Sequence, residues 1–272
     1  MTTTQKSVLA VSLGIIKTKL YGLISVLVLV GAWEIIANSN LVSTILLPSP
    51  SQVITALFQL MVSGELLRHV LASVFRIILG FLVSALIAFP IGIWIALSPK
   101  AHHFLAPLLN ISKYLPVVAF IPLTILWFGI GDSSKIFLLT LGTAPLLATL
   151  MVSAIERIPI PIIETAQTMG LSKKQLVWFV IIPYTAPRLL DALRLSVAIA
   201  WSYLTTAEII AASSGLGHLI VQSQRYLQTD LIFAAILVIS ILGVVTDKTF
   251  FWIRQKFFGW EGVTLREKQN SL

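Results

Sequence analysis

The chain has no cysteine and little charge. Without a thiol, disulfides, thiol nucleophiles and thiolate metal sites are all excluded. Charged residues are 11% of its 272 residues, less than half the roughly 25% of soluble domains. A phosphate-cradling loop is also missing. There is no Walker A sequence, and "GIG" at 129–131 and "GLG" at 215–217 read as turns rather than nucleotide fingerprints. No nucleophile stands beside a general base, which argues against a membrane enzyme. What is abundant is apolar residue, 57% of the chain, with a mean hydropathy of +0.95. The apolar runs predict six membrane spans, at 20–38, 70–97, 115–131, 135–155, 187–212 and 231–253. Each should be helical, because the bilayer core has no water to satisfy an open backbone. The third run carries Pro116 and Pro122 and is the shortest.

Lysine and arginine sort by membrane side. With the N-terminus inside, only Arg68, Arg76, Lys135 and Arg225 fall outside or at outer helix ends, leaving 15 of the 19 (19 − 4) inside. This bias puts both termini in the cytoplasm and accounts for the net charge of +8 without a nucleic-acid ligand. The expected organisation is a cytoplasmic segment at 1–19, a transmembrane domain at 20–258 with a cytoplasmic loop at 156–186, and a cytoplasmic tail at 259–272. The first run is too long for a signal-peptide core, and Trp33-Glu34 stands where cleavage needs small residues.

Two outer segments, "PSPSQVITALFQLM" and "GLGHLIVQSQRYLQTD", show helical apolar spacing but are too polar to span. They are expected to lie in the interface, either sealing the outer rim or docking a partner. In the latter, Leu216, Leu219, Ile220 and Leu227 form the apolar set. In the second span Gly80, Ser84, Ala88 and Gly92 form a ridge of small residues for close helix approach, and Pro90 is expected to bend it. Among ionisable residues in spans, Glu34 and Glu208 read as interfacial. Asp191 is expected to pair locally with Arg188 and Arg194 at three-residue spacings. Arg76 either anchors its helix or attracts an anion. The four histidines, His69, His102, His103 and His218, lack metal-ligand spacing and read as interfacial. The fifth span is the most polar: Ser202, Thr205 and Thr206 put hydroxyls on one patch. They either glue helices together or line a pathway with neutral donors.

The segment "PIPIIETAQTMGLSKKQLVWFVIIPYTAPRLLDAL" is the most loop-like of all. Pro159 and Pro161 suit a helix start, and Glu164 lies near its positive end. Ile162, Ile163, Ala166, Met169 and Gly170 are expected on one shallow side. Ser172 and Gln175 have capping-box spacing, which starts a second helix at Lys173; it should end at Pro183, with Pro187 opening the fifth span. The result is a rigid cytoplasmic knob, in which a leucine at Gly170 should cost little stability.

Glu164, Thr165, Ala166 and Gly170, followed by Ile182-Pro183, resemble the "EAA" loop of ABC importer permeases, with Thr165 in place of the usual second-position alanine. "LLPSPSQV", "ILWFGIGDSSKI", "AEIIAASSGLGHLI" and "QTDLIFAAILVISILGVVTDK" resemble the nitrate/sulfonate/taurine/bicarbonate branch of that family, over residues 30 to 258. The resemblance implies an all-α integral membrane protein with the six-helix type I importer permease fold, in a bacterial-type inner membrane. It implies a second permease copy forming a homodimer, two cytoplasmic ATPase subunits holding ATP and Mg, and an extracytoplasmic substrate-binding protein. Glu164, Ala166 and Gly170 are then the coupling residues, and Ser202, Thr205, Thr206 and Arg76 are candidates for the pathway of a small anion. No catalytic residue, metal or cofactor is expected in this chain. The alternative is an ion-gradient-driven transporter or channel, which needs neither the loop nor an ATPase; no internal repeat of that kind is present.

Overall fold

The structure is a computed structural model that describes residues 3–39 and 42–259, with side chains described from Leu20 onward, Leu23 excepted. The described residues form helices and connecting turns, with no strand among them. Five helices are long: α1 (Thr3–Asn38), α3 (Glu65–Leu97), α6 (Asp132–Glu156), α9 (Ile182–Ala211) and α11 (Thr229–Phe258). Between them lie α2 (Pro50–Val62), α4 (Pro99–Ser112), α5 (Ile121–Phe128), α7 (Ile160–Thr168), α8 (Lys173–Leu176) and α10 (Leu216–Arg225). Five stretches are long and apolar enough to cross a bilayer, or six if α4 and Val117–Phe128 count as one broken span. That pair is bent by 88°. The span expected at 115–131 is therefore a bent helix pair, a broken span or a re-entrant loop, rather than a single helix. Pro116 denies the backbone a donor and holds the preceding residue extended, so α4 cannot continue into α5.

The chain divides into two compact units, Met1–Leu66 with Gln222–Ala235, and Leu67–Val221 with Ile236–Leu272. In the first, the Trp33 indole donates to Pro48 O at 3.0 Å and its ring lies 5.4 Å from that of Phe233. Ser49 and Gln52 form a capping box at the start of α2. Glu34 accepts from the Ser51 hydroxyl (2.9 Å) and backbone N–H (3.2 Å), which sets a carboxylate at the positive end of α2. Leu227 lies beyond α10 with φ 56° and is 68% exposed.

In the second unit the small-residue ridge of α3 seats α6. A Cβ built at Gly80 would lie 2.8 Å from Leu139 Cδ2, and one at Gly92 would lie 3.0 Å from Met151 Cβ, while Ser84 and Ala88 are fully buried. Such packing replaces the hydrophobic drive that lipid cannot supply. α3 passes through Pro90 as one continuous helix. α6 and α9 run antiparallel: Leu139 packs with Val197, Ala200 and Leu204, and Leu147 and Met151 pack with Leu189 and Ala192.

The capping box at Ser172 and Gln175 forms, and α8 begins at Lys173 as expected. The helix does not stop at Pro183. A wider turn over Val177–Ile181, in which Ile182 N–H reaches Val177 O, joins α8 to α9 and carries the chain past Pro183 and Pro187. Lys173–Ala211 is thus one helical stretch of 39 residues. The i→i+5 turn relieves the local ladder just where the first proline brings no donor.

Candidate functional site

The projecting segment comes first. α7 starts with Pro159 at its cap and Pro161 in its first turn. Ile162 and Ile163 pack against Ile155, Ile158 and Ile181, and Ala166 is only 6% exposed. Of the side expected to be shallow and apolar, Ile162, Ile163 and Ala166 thus lie against the chain's own helices, which offer the nearest apolar surface, while Met169 and Gly170 stay exposed. Glu164 and Gly170 are exposed, together with Thr165, Gln167 and Met169. The structure brings Glu164 and Gly170 to the outer surface and places Ala166 behind them. Gly170 has φ +81° with open space around a built Cβ. Its conformation, not crowding, is what demands glycine there. A groove of about 480 Å³ runs along the segment between Ile162, Ala166, Met169 and Val180.

The hydroxyl patch on α9 is also assembled. Ser202, Thr205 and Thr206 line one cavity of about 340 Å³ with Trp201, Ile236 and Ser240. Their protons are not all available, however. Thr205 donates to Trp201 O (2.8 Å), Thr206 to Ser202 O (2.9 Å) and Ser240 to Ile236 O (2.9 Å). Only the Ser202 hydroxyl remains, with no partner among the described residues. The expected row of three neutral donors is one donor beside two acceptors, with Ser240 of α11 a further acceptor.

Arg76, the fourth pathway candidate, is enclosed instead. It is 3% exposed and all three guanidinium nitrogens donate: Nε to Asp132 (2.7 Å), Nη1 to Glu208 (2.6 Å) and Ser214 O (2.7 Å), Nη2 to the Ser214 hydroxyl (2.9 Å). These bonds hold α3 to the start of α6 and to the turn after α9. Glu208, expected at the interface, is 1% exposed and accepts as well from Ser73 (2.8 Å) and Gly217 N–H (3.0 Å). His69, also expected at the interface, is 4% exposed; its Nδ1 accepts Gly215 N–H at 3.1 Å. This cluster ties α3, the start of α6, the end of α9 and the start of α10 together. It explains the two glycines of the 215–217 turn. A Cβ at Gly215 would lie 2.3 Å from Glu208 Oε1, and one at Gly217 would lie 2.5 Å from Thr205 O. Lys135, 3% exposed, closes the turn before α6 by donating to Ile130 O (2.6 Å) and Gly131 O (2.9 Å).

Sequence reasoning missed the Glu208 cluster, since its partners are far apart in the chain; Gly215 and Gly217 beside an intramembrane acid were the available signal. It also missed Asp247. Arg194 pairs with Asp247 on α11 through Nε and Nη2, and Asp191 lies 3.5 Å from Arg254 Nε. These ion pairs join α9 to α11.

Five helices long and apolar enough to span, with ion pairs enclosed among them, are the make-up of a multi-pass membrane protein. Residues 88–258 match the family described as binding-protein-dependent transport system inner membrane component. The taurine transport system permease protein TauC of Escherichia coli K12 is 33% identical, covering 86% of this chain and 87% of its own length. A putative aliphatic sulfonates transport permease protein SsuC of Bacillus subtilis is also 33% identical, over 88% and 87%. A chain of the inward-facing MetNI methionine ABC transporter shares the fold, with a TM-score of 0.65 at 24% identity over 71% of this chain and 95% of that one. The chain belongs to the binding-protein-dependent transport system inner membrane component family, as an ABC importer permease.

Proposed function

We propose that the chain forms the translocation pathway of an ATP-driven importer for a small sulfonate-class anion, as a homodimer with two ATPase subunits and an external binding protein. The observation that carries the substrate class is the match to permeases named for taurine and aliphatic sulfonates along more than four-fifths of the chain. It favours sulfonate over nitrate or bicarbonate. Both termini and the 156–186 loop face the cytoplasm, a placement supported by the 15 of 19 cations on that side. α7 and the turn after it dock on the ATPase, with Glu164 and Gly170 at the contact and Ala166 fixing how closely α7 lies on its own bundle. Their exposure and burial support this division. Ser202 supplies the donor in the pathway, where one weak contact lets an anion leave.

Copurification tests the assembly. An ATPase subunit should remain bound to the tagged permease in detergent, and a Glu164→Lys variant should release it. A permease that transports sulfonate in vesicles without any ATPase, driven by an ion gradient, would overturn the proposal. For topology, impermeant maleimide on intact cells should label Gln222→Cys and spare Lys173→Cys in this cysteine-free chain.

A further inference from the structure

A second polar cavity, of about 390 Å³, opens where the end of α6, the first turns of α9 and the last turns of α11 meet. Arg157, Arg188 and Arg254 line it with a single acid, Asp191, an excess of two positive charges (3 − 1). Arg254 Nε lies 3.5 Å from Asp191, and Arg188 Nη1 reaches Arg157 O at 3.5 Å, so two of the guanidiniums are held in place from within the cavity wall. The Arg157 guanidinium has no partner among the described residues. Apart from Ser153 the rest of the lining is apolar: Leu150 and Leu195, the latter 59% exposed, stand on the bilayer side of the arginines on α6 and α9. A cationic floor under apolar walls matches an anionic head with hydrocarbon above it. Basic pockets between spans on the cytoplasmic side take anionic lipid headgroups on these grounds.

We infer that this cavity is a binding site for the phosphate headgroup of an anionic phospholipid of the inner leaflet. The leaflet assignment rests on the topology under Proposed function; binding itself does not. A free phosphate would satisfy the arginines equally but would leave Leu150 and Leu195 unused, which is why the lipid is the source chosen. Held there, the lipid would bridge three helices that share no covalent connection at this level.

The test is native mass spectrometry of the purified full-length permease in detergent, titrated separately with phosphatidylglycerol, phosphatidylcholine and inorganic phosphate. Phosphatidylglycerol should bind well above phosphatidylcholine, and Arg157→Gln should weaken it about fivefold, the contribution of one cation near an anionic headgroup. Arg157→Lys should keep most of the binding. Ser153→Phe, which fills the cavity and leaves every arginine, should also lose it. Lys173→Gln/Lys174→Gln removes two cations outside the cavity and should leave it unchanged. Equal binding of both lipids, or equal weakening by the lysine and arginine variants, overturns the site. Inorganic phosphate bound with the same arginine dependence, without competition from lipid, overturns the lipid assignment. Maleimide labelling reports topology independently, so failure of the site and failure of the topology are distinguishable.

Discussion

Removing the carboxylate of Glu208 is the most informative single perturbation. Glu208→Met leaves Arg76 with its outer partner Asp132, 49% exposed, and with Ser214. It also strands the Ser73 hydroxyl and Gly217 N–H, which donate to Glu208 at 2.8 and 3.0 Å. Breaking a buried pair from one side costs about 3–5 kcal/mol. Asp132 compensates part of the guanidinium charge, so the lower end, about 3 kcal/mol, is expected. Arg76→Met should cost at least as much, because it leaves a carboxylate 1% exposed with only neutral donors. The double variant Arg76→Met/Glu208→Met removes both charges and frees Asp132, which solvent can reach. It should fall within about 1–2 kcal/mol of the parent, as apolar replacements of buried pairs do. The two changes are then far from additive, with a coupling of roughly 4 kcal/mol or more. Equilibrium unfolding of the purified protein in mixed micelles, titrated with SDS, measures all four corners of the cycle. Additive losses, or single variants within about 0.5 kcal/mol of the parent, would refute the claim that this cluster pins the α9–α10 junction.

Gly170→Ala should destabilise by about 1 kcal/mol, because an L residue is disfavoured at φ +81° although the space is open. A leucine there carries the same strain, so uptake by such variants must be compared at equal folded amounts. Gly217→Ala should cost more, about 1–3 kcal/mol, since its Cβ would meet the Thr205 carbonyl at 2.5 Å and helix backbone cannot swing aside; the same SDS titration checks it. Ser202→Ala should lower uptake in reconstituted vesicles more than Thr206→Val does, because the Thr206 proton is already spent on Ser202 O. Equal effects would put these hydroxyls in packing rather than in the pathway. Arg194→Gln should loosen α9 from α11 by about 1 kcal/mol or less, its pair with Asp247 being about one-third exposed on both sides.

Local features were legible in the sequence. The capping box at Ser172 and Gln175 started α8 where its spacing said, because a cap needs only residues within one turn. The ridge from Gly80 to Gly92 met α6, and Ser202, Thr205 and Thr206 came to one cavity, because helical periodicity alone sets which residues share a face. Lipid, with no water for the backbone, made the long apolar runs helices without further information. What tertiary structure decided was which distant groups meet. Arg76 and Glu208 are 132 positions apart and Arg194 and Asp247 are 53 apart, and no periodicity relates them. The apolar side of α7 turned inward because Ile155, Ile158 and Ile181 offered it a surface that its own sequence does not contain. Likewise Pro183, a helix stop when read alone, lies within a helix whose wider turn and packed neighbours absorb the missing bond.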